Sequence, residues 1–171
     1  MTPSRTPITI RAAVPEDAEA VHRLSIKAIL GSTQPHYDVA QAAAWAARRT
    51  LESHQRMIEV TTMLLAVSHG EIAGFASLAL RESDDLQRGE VDQLFVDPDH
   101  GGAGVAAALL DAVELTARVD GITRLITHAS WRAAPVFERH GYQHVEEETV
   151  EIGQQVLTRV RMTKDLTTRH D

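Results

Sequence analysis

The chain has 171 residues, of which 43% are hydrophobic and 24% charged, and its formal net charge at pH 7 is −7. This balance predicts one globular domain over residues 1–171 with a core over about residues 8–166. The lack of cysteine excludes disulfides and cysteine nucleophiles, and the acidic balance argues against a nucleic-acid partner. The chain opens without an apolar leader and contains no apolar run of the roughly 20 residues that cross a bilayer, so we expect a cytoplasmic protein without membrane contact.

The first part of the chain predicts one strand and two helices. Apolar and polar residues alternate over residues 8–10, as in a short strand, and the proline and acids at residues 15–17 suit the first turn of a helix. The glycine and proline in residues 31–35 end that helix. Asp38 is the expected cap of a second, alanine-rich helix that continues through Leu51.

The rest of the chain alternates short apolar runs, bounded by turn signals, with segments of helical spacing. The element order β-α-α-β-β-β-α-β-α-β-β predicts an α+β fold with a mixed sheet. After the second helix, the predicted elements are strands at 63–67, 72–78 and 90–96, a helix at 105–120, a strand at 124–128, a short helix at 135–140, and paired strands at 142–148 and 156–162.

A glycine-rich turn, residues 97–104, joins the strand that ends at Val96 to the helix that begins near Val105. The N–H groups at such a helix start have no partner within the helix and point, with the positive end of the helix dipole, at one place. Glycine lets an anion approach the main chain and permits positive φ. The segment predicts an anion site, and the alternative is a helix start that binds no ligand.

Residues 102–107 also fit the dinucleotide fingerprint G-x-G-x-x-G/A. That fingerprint requires its first glycine directly after the strand and an acid about 20 residues further on. Here residues 98–100 intervene, the next strand ends at residues 128–130 without an acid, and an antiparallel hairpin comes before the turn. These features argue against a dinucleotide oxidoreductase.

Residues 96–106, VDPDHGGAGVA, resemble the acetyl-CoA loop of the GCN5-related N-acetyltransferases (GNAT), whose usual form is V-x-P-x-x-[QR]-G-x-G-[hydrophobic]-[GA]. Residues 10–18 resemble the opening strand and first helix of that family, and residues 137–142 its late Y-E-[KR]-x-G-F segment. The resemblance covers residues 8–166. Within the family, the sequence is similar to a bacterial subgroup of uncharacterised acetyltransferases. It implies a mostly antiparallel, twisted sheet flanked by helices, with splayed central strands.

The resemblance further implies an enzyme that transfers an acetyl group from acetyl-CoA, its cosubstrate, directly to a primary amine of a small molecule or peptide. Two departures from the pattern leave a second function open, an acyl-CoA-binding regulatory module without transferase activity. Gly101 stands where the family has Gln or Arg, and Phe137 where many relatives have a tyrosine that acts as general acid. The implied cofactor-binding residues are Leu94, Phe95, Val96, Gly101, Gly102, Ala103, Gly104, Val105, Ala106, Ser130 and Phe137.

The transfer needs a base for the ammonium and a proton donor for the departing thiolate. Glu90 and Asp92 share strand parity with Val96, so both face the cleft unless a bulge resets the pattern; the alternative is a pair of solvated residues at a strand end. Ser130 stands where relatives often place an asparagine, which implies contact with the cofactor or protonation of sulfur. Its alternative is a helix cap.

The loop between the first two helices covers the amine side in relatives, which implies that His36 and Tyr37 line the acceptor pocket; the alternative is an exposed turn. The nine histidines show no metal-ligand spacing, so no metal is expected. The edge strands and the final hairpin are compatible with a homodimer. The sequence does not identify the acceptor amine.

Overall fold

The computed structural model describes residues 7–32 and 37–167. Two single-turn 3-10 helices, Pro15–Asp17 and Pro98–His100, precede the α-helices that begin at Ala18 and Val105. The strands are β1 Thr9–Ala12, β2 Thr62–Ser68, β3 Glu71–Leu78, β4 Glu90–Val96, β5 Arg124–Ser130, β6 Gln143–Ile152 and β7 Gln155–Asp165. The helices are α1 Ala18–Ser32, α2 Val39–Ala47, α3 Leu51–Val60, α4 Val105–Val119 and α5 Ala134–Arg139.

The strands form one seven-stranded sheet in the order β1-β2-β3-β4-β5-β7-β6, and every neighbouring pair except β4–β5 is antiparallel. The parallel pair is joined at only two positions, Glu90 with Ile126 and Val91 with Thr127. Beyond them the two strands separate. The predicted mixed, mostly antiparallel sheet with splayed central strands is therefore confirmed.

A register irregularity in β4 changes which way its side chains face. The pairing with β3 skips Asp92. As a result Val91 packs into the core that α4 covers, whereas Phe95 packs into the second core, under α1 and the helices that follow it. Residues four apart on a regular strand share a face, so the bulge at Asp92 reverses the pattern. Glu90 and Gln93 thereby face the side of α2 and α3.

The prediction of a single second helix was wrong, because the chain forms two helices there. Thr50 caps α3: its Oγ1 accepts from the N–H of Ser53 at 3.0 Å, and its own N–H donates to Ser53 Oγ at 3.1 Å. These reciprocal bonds satisfy the N–H groups of Thr50 and Ser53 at the start of α3, so a new helix begins there. The predicted cap of α2 is confirmed, since Asp38 Oδ1 accepts from Gln41 N at 2.7 Å.

In residues 7–32 and 37–167, every helix is too short or too polar to cross a membrane.

Candidate active site

A narrow cavity of about 70 Å³ lies where β4 and β5 separate. Four of the residues predicted to bind the cofactor line it: Leu94, Phe95, Ser130 and Phe137. Val96 does not line the cavity; it ends β4 and packs partly buried against the core beneath α4. The structure thus brings Leu94 and Phe95 of β4 together with two later residues of the chain at the gap between β4 and β5. The later residues are Ser130 and Phe137.

The main chain of β4 directs two N–H groups into this gap. Asp97 N donates to Ala73 O at 2.8 Å and Gln93 N donates to Ser77 Oγ at 3.1 Å, so both of these amides point toward β3. N–H groups alternate in direction along a strand. The amides of Leu94 and Val96 therefore point away from β3, into the space between β4 and β5.

The glycine turn leads from β4 to the N-terminus of α4. Gly102 has φ +76° and Gly104, the residue before the helix, has φ +82°, conformations that side chains rarely adopt. Within the described ranges no side chain caps this helix end, and the first amide of α4 bonded back to the turn is Ala108 N, which donates to Gly104 O at 3.0 Å. In the turn itself, Ala103 N already donates to His100 O at 3.4 Å, so this predicted cofactor contact is not free. The amides of the preceding helical turn therefore have no partner within the helix. These groups fit the anionic phosphates of a coenzyme.

A lysine on α1 holds the turn in place. Lys27 Nζ lies 2.8 Å from Asp97 Oδ1 and 2.6 Å from Asp99 Oδ2. Hydrogen bonds to Asp97 and Asp99 raise the pKa of Lys27 to about 12, so the bridging group stays charged. Lys27 thereby ties the start of the turn to α1.

A second, wider cleft of about 740 Å³ lies beside the narrow cavity, on the side of α2 and α3. It carries five carboxylates, those of Glu82, Asp84, Asp85, Glu90 and Asp92. The two cavities adjoin one another, because six residues line both of them. The shared residues are Trp45, Arg49, Asp92, Gln93, His128 and Ser130.

A chain of ionisable groups begins in the wall of this cleft. Glu90 Oε1 lies 3.8 Å from His128 Nε2, and His128 Nδ1 lies 2.7 Å from Glu148 Oε2. Arg159 Nε lies 3.1 Å from the same oxygen of Glu148. With Nδ1 donating to Glu148, Nε2 of a neutral His128 faces Glu90 without a proton.

Burial sets the acidity of Glu90, which is only 7% exposed. Desolvation raises the pKa of this carboxyl, and the charge of Asp92 adds to the effect. The N–H of Gln87, which donates to Glu90 Oε2 at 2.9 Å, opposes the rise, as does His128. Glu90 is therefore a stronger base than an ordinary carboxylate when it is ionised.

Comparison with known proteins identifies the family. The family model for the acetyltransferase (GNAT) domain matches residues 33–166 of this chain. The chain belongs to the GNAT acetyltransferases. It is an acyltransferase that moves an acetyl group from acetyl-CoA to an amine.

Three similar proteins illustrate the relationship. The uncharacterized N-acetyltransferase YafP of Escherichia coli K12 is 29% identical over 144 residues, which cover 84% of this chain and 87% of YafP. A GCN5-related N-acetyltransferase from Rhodopseudomonas palustris is 31% identical, with a TM-score of 0.85, and the match covers 97% of this chain and 99% of that one. The PaiA N-acetyltransferase of Thermoplasma acidophilum, solved with coenzyme A, shares the fold at 16% identity and a TM-score of 0.73, covering 93% and 99% of the two chains.

The structure places the predicted residues of this GNAT enzyme as follows. Glu90, Asp92, Ser130 and Tyr37 all line the wide cleft. His36 lies outside the described residues. Tyr37 is not an exposed turn residue: it is 4% exposed, and its hydroxyl donates to Thr158 O at 3.0 Å.

Ser130 and Phe137 make contacts that limit their roles. Ser130 Oγ accepts from Ala133 N at 3.2 Å, which leaves its own proton available to a ligand. Phe137 packs edge-on against Tyr142 at a centroid distance of 4.9 Å. Tyr142 is buried and lines neither cavity, and burial raises the pKa of its hydroxyl. Tyr142 therefore does not replace the missing tyrosine at Phe137.

Sequence reasoning missed His128 and Arg49, both of which line the two cavities. A signal for His128 was present, because it lies two residues before Ser130 on the same strand and so shares its face. Arg49 had no comparable signal. It lies in the break between α2 and α3, where a single helix was predicted.

Proposed function

We propose that this GNAT enzyme binds acetyl-CoA along the gap between β4 and β5 and acetylates an amine held in the wide cleft. The common wall of the two cavities is the observation that carries the proposal, because it brings an amine in one within reach of a thioester in the other. The N–H groups of Gly102, Gly104, Val105 and Ala106 would receive the pyrophosphate, whereas that of Ala103 donates to His100 O. Those of Leu94 and Val96 would hold the pantetheine arm and the thioester oxygen.

The proposed reaction is direct transfer. The neutral amine nitrogen attacks the thioester carbon, the N–C bond forms, and the C–S bond breaks to leave the coenzyme thiolate. Glu90 takes the proton that the ammonium loses before the attack, directly or through water, and the proton that the nitrogen loses after the attack goes to the coenzyme thiolate. Asp92, on the same cleft wall, holds the ammonium before transfer.

We further propose that His128 relays this proton away from Glu90. Its Nε2 faces Glu90, while Glu148 holds its Nδ1–H and so fixes the ring and its tautomer. Ser130 hydrogen-bonds the departing sulfur through its free hydroxyl proton. Phe137 contributes an apolar wall to the gap rather than a proton.

The test is release of free coenzyme A from acetyl-CoA, assayed with a panel of primary amines. We expect release with at least one amine, and a loss of about 100-fold or more in kcat for Glu90→Gln. Asp84→Asn is the matched control, because it removes an acid of the same cleft that is exposed rather than buried. Binding of coenzyme A without turnover of any amine, with coenzyme retained in native mass spectra, would instead support a regulatory module.

We also propose, from the same observations, a single domain in the cytoplasm without a nucleic-acid partner. The net charge of −7 disfavours a polyanion. The edge strands β1 and β6 leave room for a homodimer. Light scattering at several protein concentrations and a filter-binding assay with DNA and RNA test the dimer and the nucleic-acid statement.

A further inference from the structure

Arg49 is a cation in the shared wall of the two cavities. Its guanidinium lies over the ring of Phe95, with Cζ 5.7 Å from the ring centroid. Its Nε is buried without a hydrogen-bond partner, and no carboxylate of the described chain lies within 4 Å of its nitrogens. Since arginine does not lose its proton, this wall holds a positive charge that the fold leaves unpaired.

Such a charge is costly unless a ligand pairs with it. Desolvation lowers the pKa of Arg49, and the charge of Asp92 opposes that effect without forming an ion pair. Two further arginines, Arg48 and Arg159, line the wide cleft outside the shared wall. Arg159 binds Glu148 at 3.1 Å, and the like charge of Arg48 adds to the cost of the charge on Arg49. Removing a guanidinium from water without a counter-ion costs several kcal/mol. An anionic group of the acceptor would offset that cost.

The shared wall also carries a negative charge, the carboxylate of Asp92. Asp92 makes no hydrogen bond or ion pair with any residue in the described ranges, and Glu90 lies two residues before it on β4. The acceptor amine must approach these carboxylates to lose its proton. A ligand that satisfies both halves of the wall therefore carries an ammonium for Asp92 and Glu90 and an anion for Arg49.

We infer that the acceptor is an amino acid whose carboxylate binds Arg49; this rests on the proposed function. The guanidinium lies over the ring of Phe95, and no side chain of the described ranges accepts a hydrogen bond from its buried Nε or forms an ion pair with it. The planar set of N–H groups on a guanidinium matches the two oxygens of a carboxylate. A neutral amide carbonyl of the pantetheine arm would leave the positive charge uncompensated. A multiply charged anion is disfavoured by the carboxylates of Glu82, Asp84 and Asp85 in the same cleft.

The experiment compares the standard amino acids with their carboxamides as acceptors. The values of kcat/KM are referred to the concentration of neutral amine, because loss of the carboxylate also lowers the pKa of the α-amine. We expect kcat/KM for an accepted amino acid to exceed that of its carboxamide by about 10-fold or more, as for a hydrogen bond to a charged group. Arg49→Gln should reduce the ratio to about one. Arg49→Lys, which keeps the charge but not the planar fork, should retain part of the preference.

Arg56→Gln is the matched control, since it removes the same charge from an exposed residue of α3 that lines neither cavity. Circular dichroism establishes that each variant is folded. Equal or better turnover of carboxamides overturns the inference, as does an Arg49→Gln variant that keeps the preference and raises the KM for acetyl-CoA.

A binding measurement separates this inference from the proposed function. Amino acids and carboxamides are titrated calorimetrically into the protein saturated with coenzyme A. Amino-acid binding that depends on Arg49, without turnover, supports the inference and counts against the transferase proposal. Turnover of other amines with no amino-acid binding overturns the inference and leaves the transferase proposal standing.

Discussion

Replacement of Gly102 by aspartate tests whether the glycine turn holds the coenzyme. Gly102 has φ +76° and a Cβ placed there would meet no atom within 4 Å. Gly121, just after α4, has φ +77° and equally open surroundings. Gly102→Asp and Gly121→Asp therefore impose the same backbone strain and the same added charge, and only the first places them beside the amides at the start of α4.

The expected effect on binding follows from the charge. Two unit charges about 6 Å apart repel by about 0.7 kcal/mol in bulk water and by about 2.8 kcal/mol at an effective dielectric constant of about 20. Gly102 is exposed, so a value of about 1 to 2 kcal/mol is appropriate, which corresponds to a 5- to 30-fold rise in the Kd for coenzyme A. The left-handed backbone costs each variant about 1 kcal/mol of stability, or about 2 to 4 °C in Tm.

The assay is isothermal titration with coenzyme A, together with thermal denaturation of the ligand-free proteins. We expect both variants to lower the Tm, Gly121→Asp by more because an aspartate is unfavourable at the C-terminal end of α4, and weaker binding of coenzyme A for Gly102→Asp alone. The difference should shrink at high salt, because the added charge is exposed. Equal Kd values for the two variants would refute the assignment of the phosphates to this turn.

Three further predictions concern the fold and the base. Gly74→Ala would place a Cβ 2.8 Å from the carbonyl oxygen of Phe95, so we expect about 1 to 3 kcal/mol less free energy of unfolding in urea titrations; an unchanged midpoint would contradict the strand packing. Tyr37→Phe removes the hydroxyl that donates to Thr158 O and should cost about 0.5 to 1.5 kcal/mol in the same measurement, whereas no loss would mean that this bond does not stabilise the fold. Burial raises the pKa of Glu90, so the folded protein favours the neutral carboxyl. The contribution of this carboxyl to the free energy of unfolding is therefore largest at acid pH and is lost as the pH rises through its raised pKa. Relative to wild type, Glu90→Gln should therefore gain stability as the pH rises from the ordinary carboxyl pKa through the raised pKa of Glu90, while it loses activity. The opposite trend in Tm would rule out a carboxyl with a raised pKa.

Local features of the sequence determined the turn and most of the elements. The strand predicted at residues 90–96 is β4, and the predicted start of the next helix at residue 105 is the start of α4. Asp38 caps α2 as predicted. The helix start and the cap depend on groups a few positions apart, and the strand shows as a short segment bounded by turn residues, so the residue types alone predict them. The same kind of signal at Thr50 was overlooked within an alanine-rich segment.

Only the tertiary structure decided how the site is assembled. The bulge at Asp92 turns Glu90 toward α2 and α3, and the place of β7 between β5 and β6 brings Glu148 to His128. Arg49 enters the same wall from a turn between helices. A shift of one residue in strand register reverses every side chain of that strand. Contacts between such distant residues therefore follow from strand order and register, which the residue pattern of each strand does not contain.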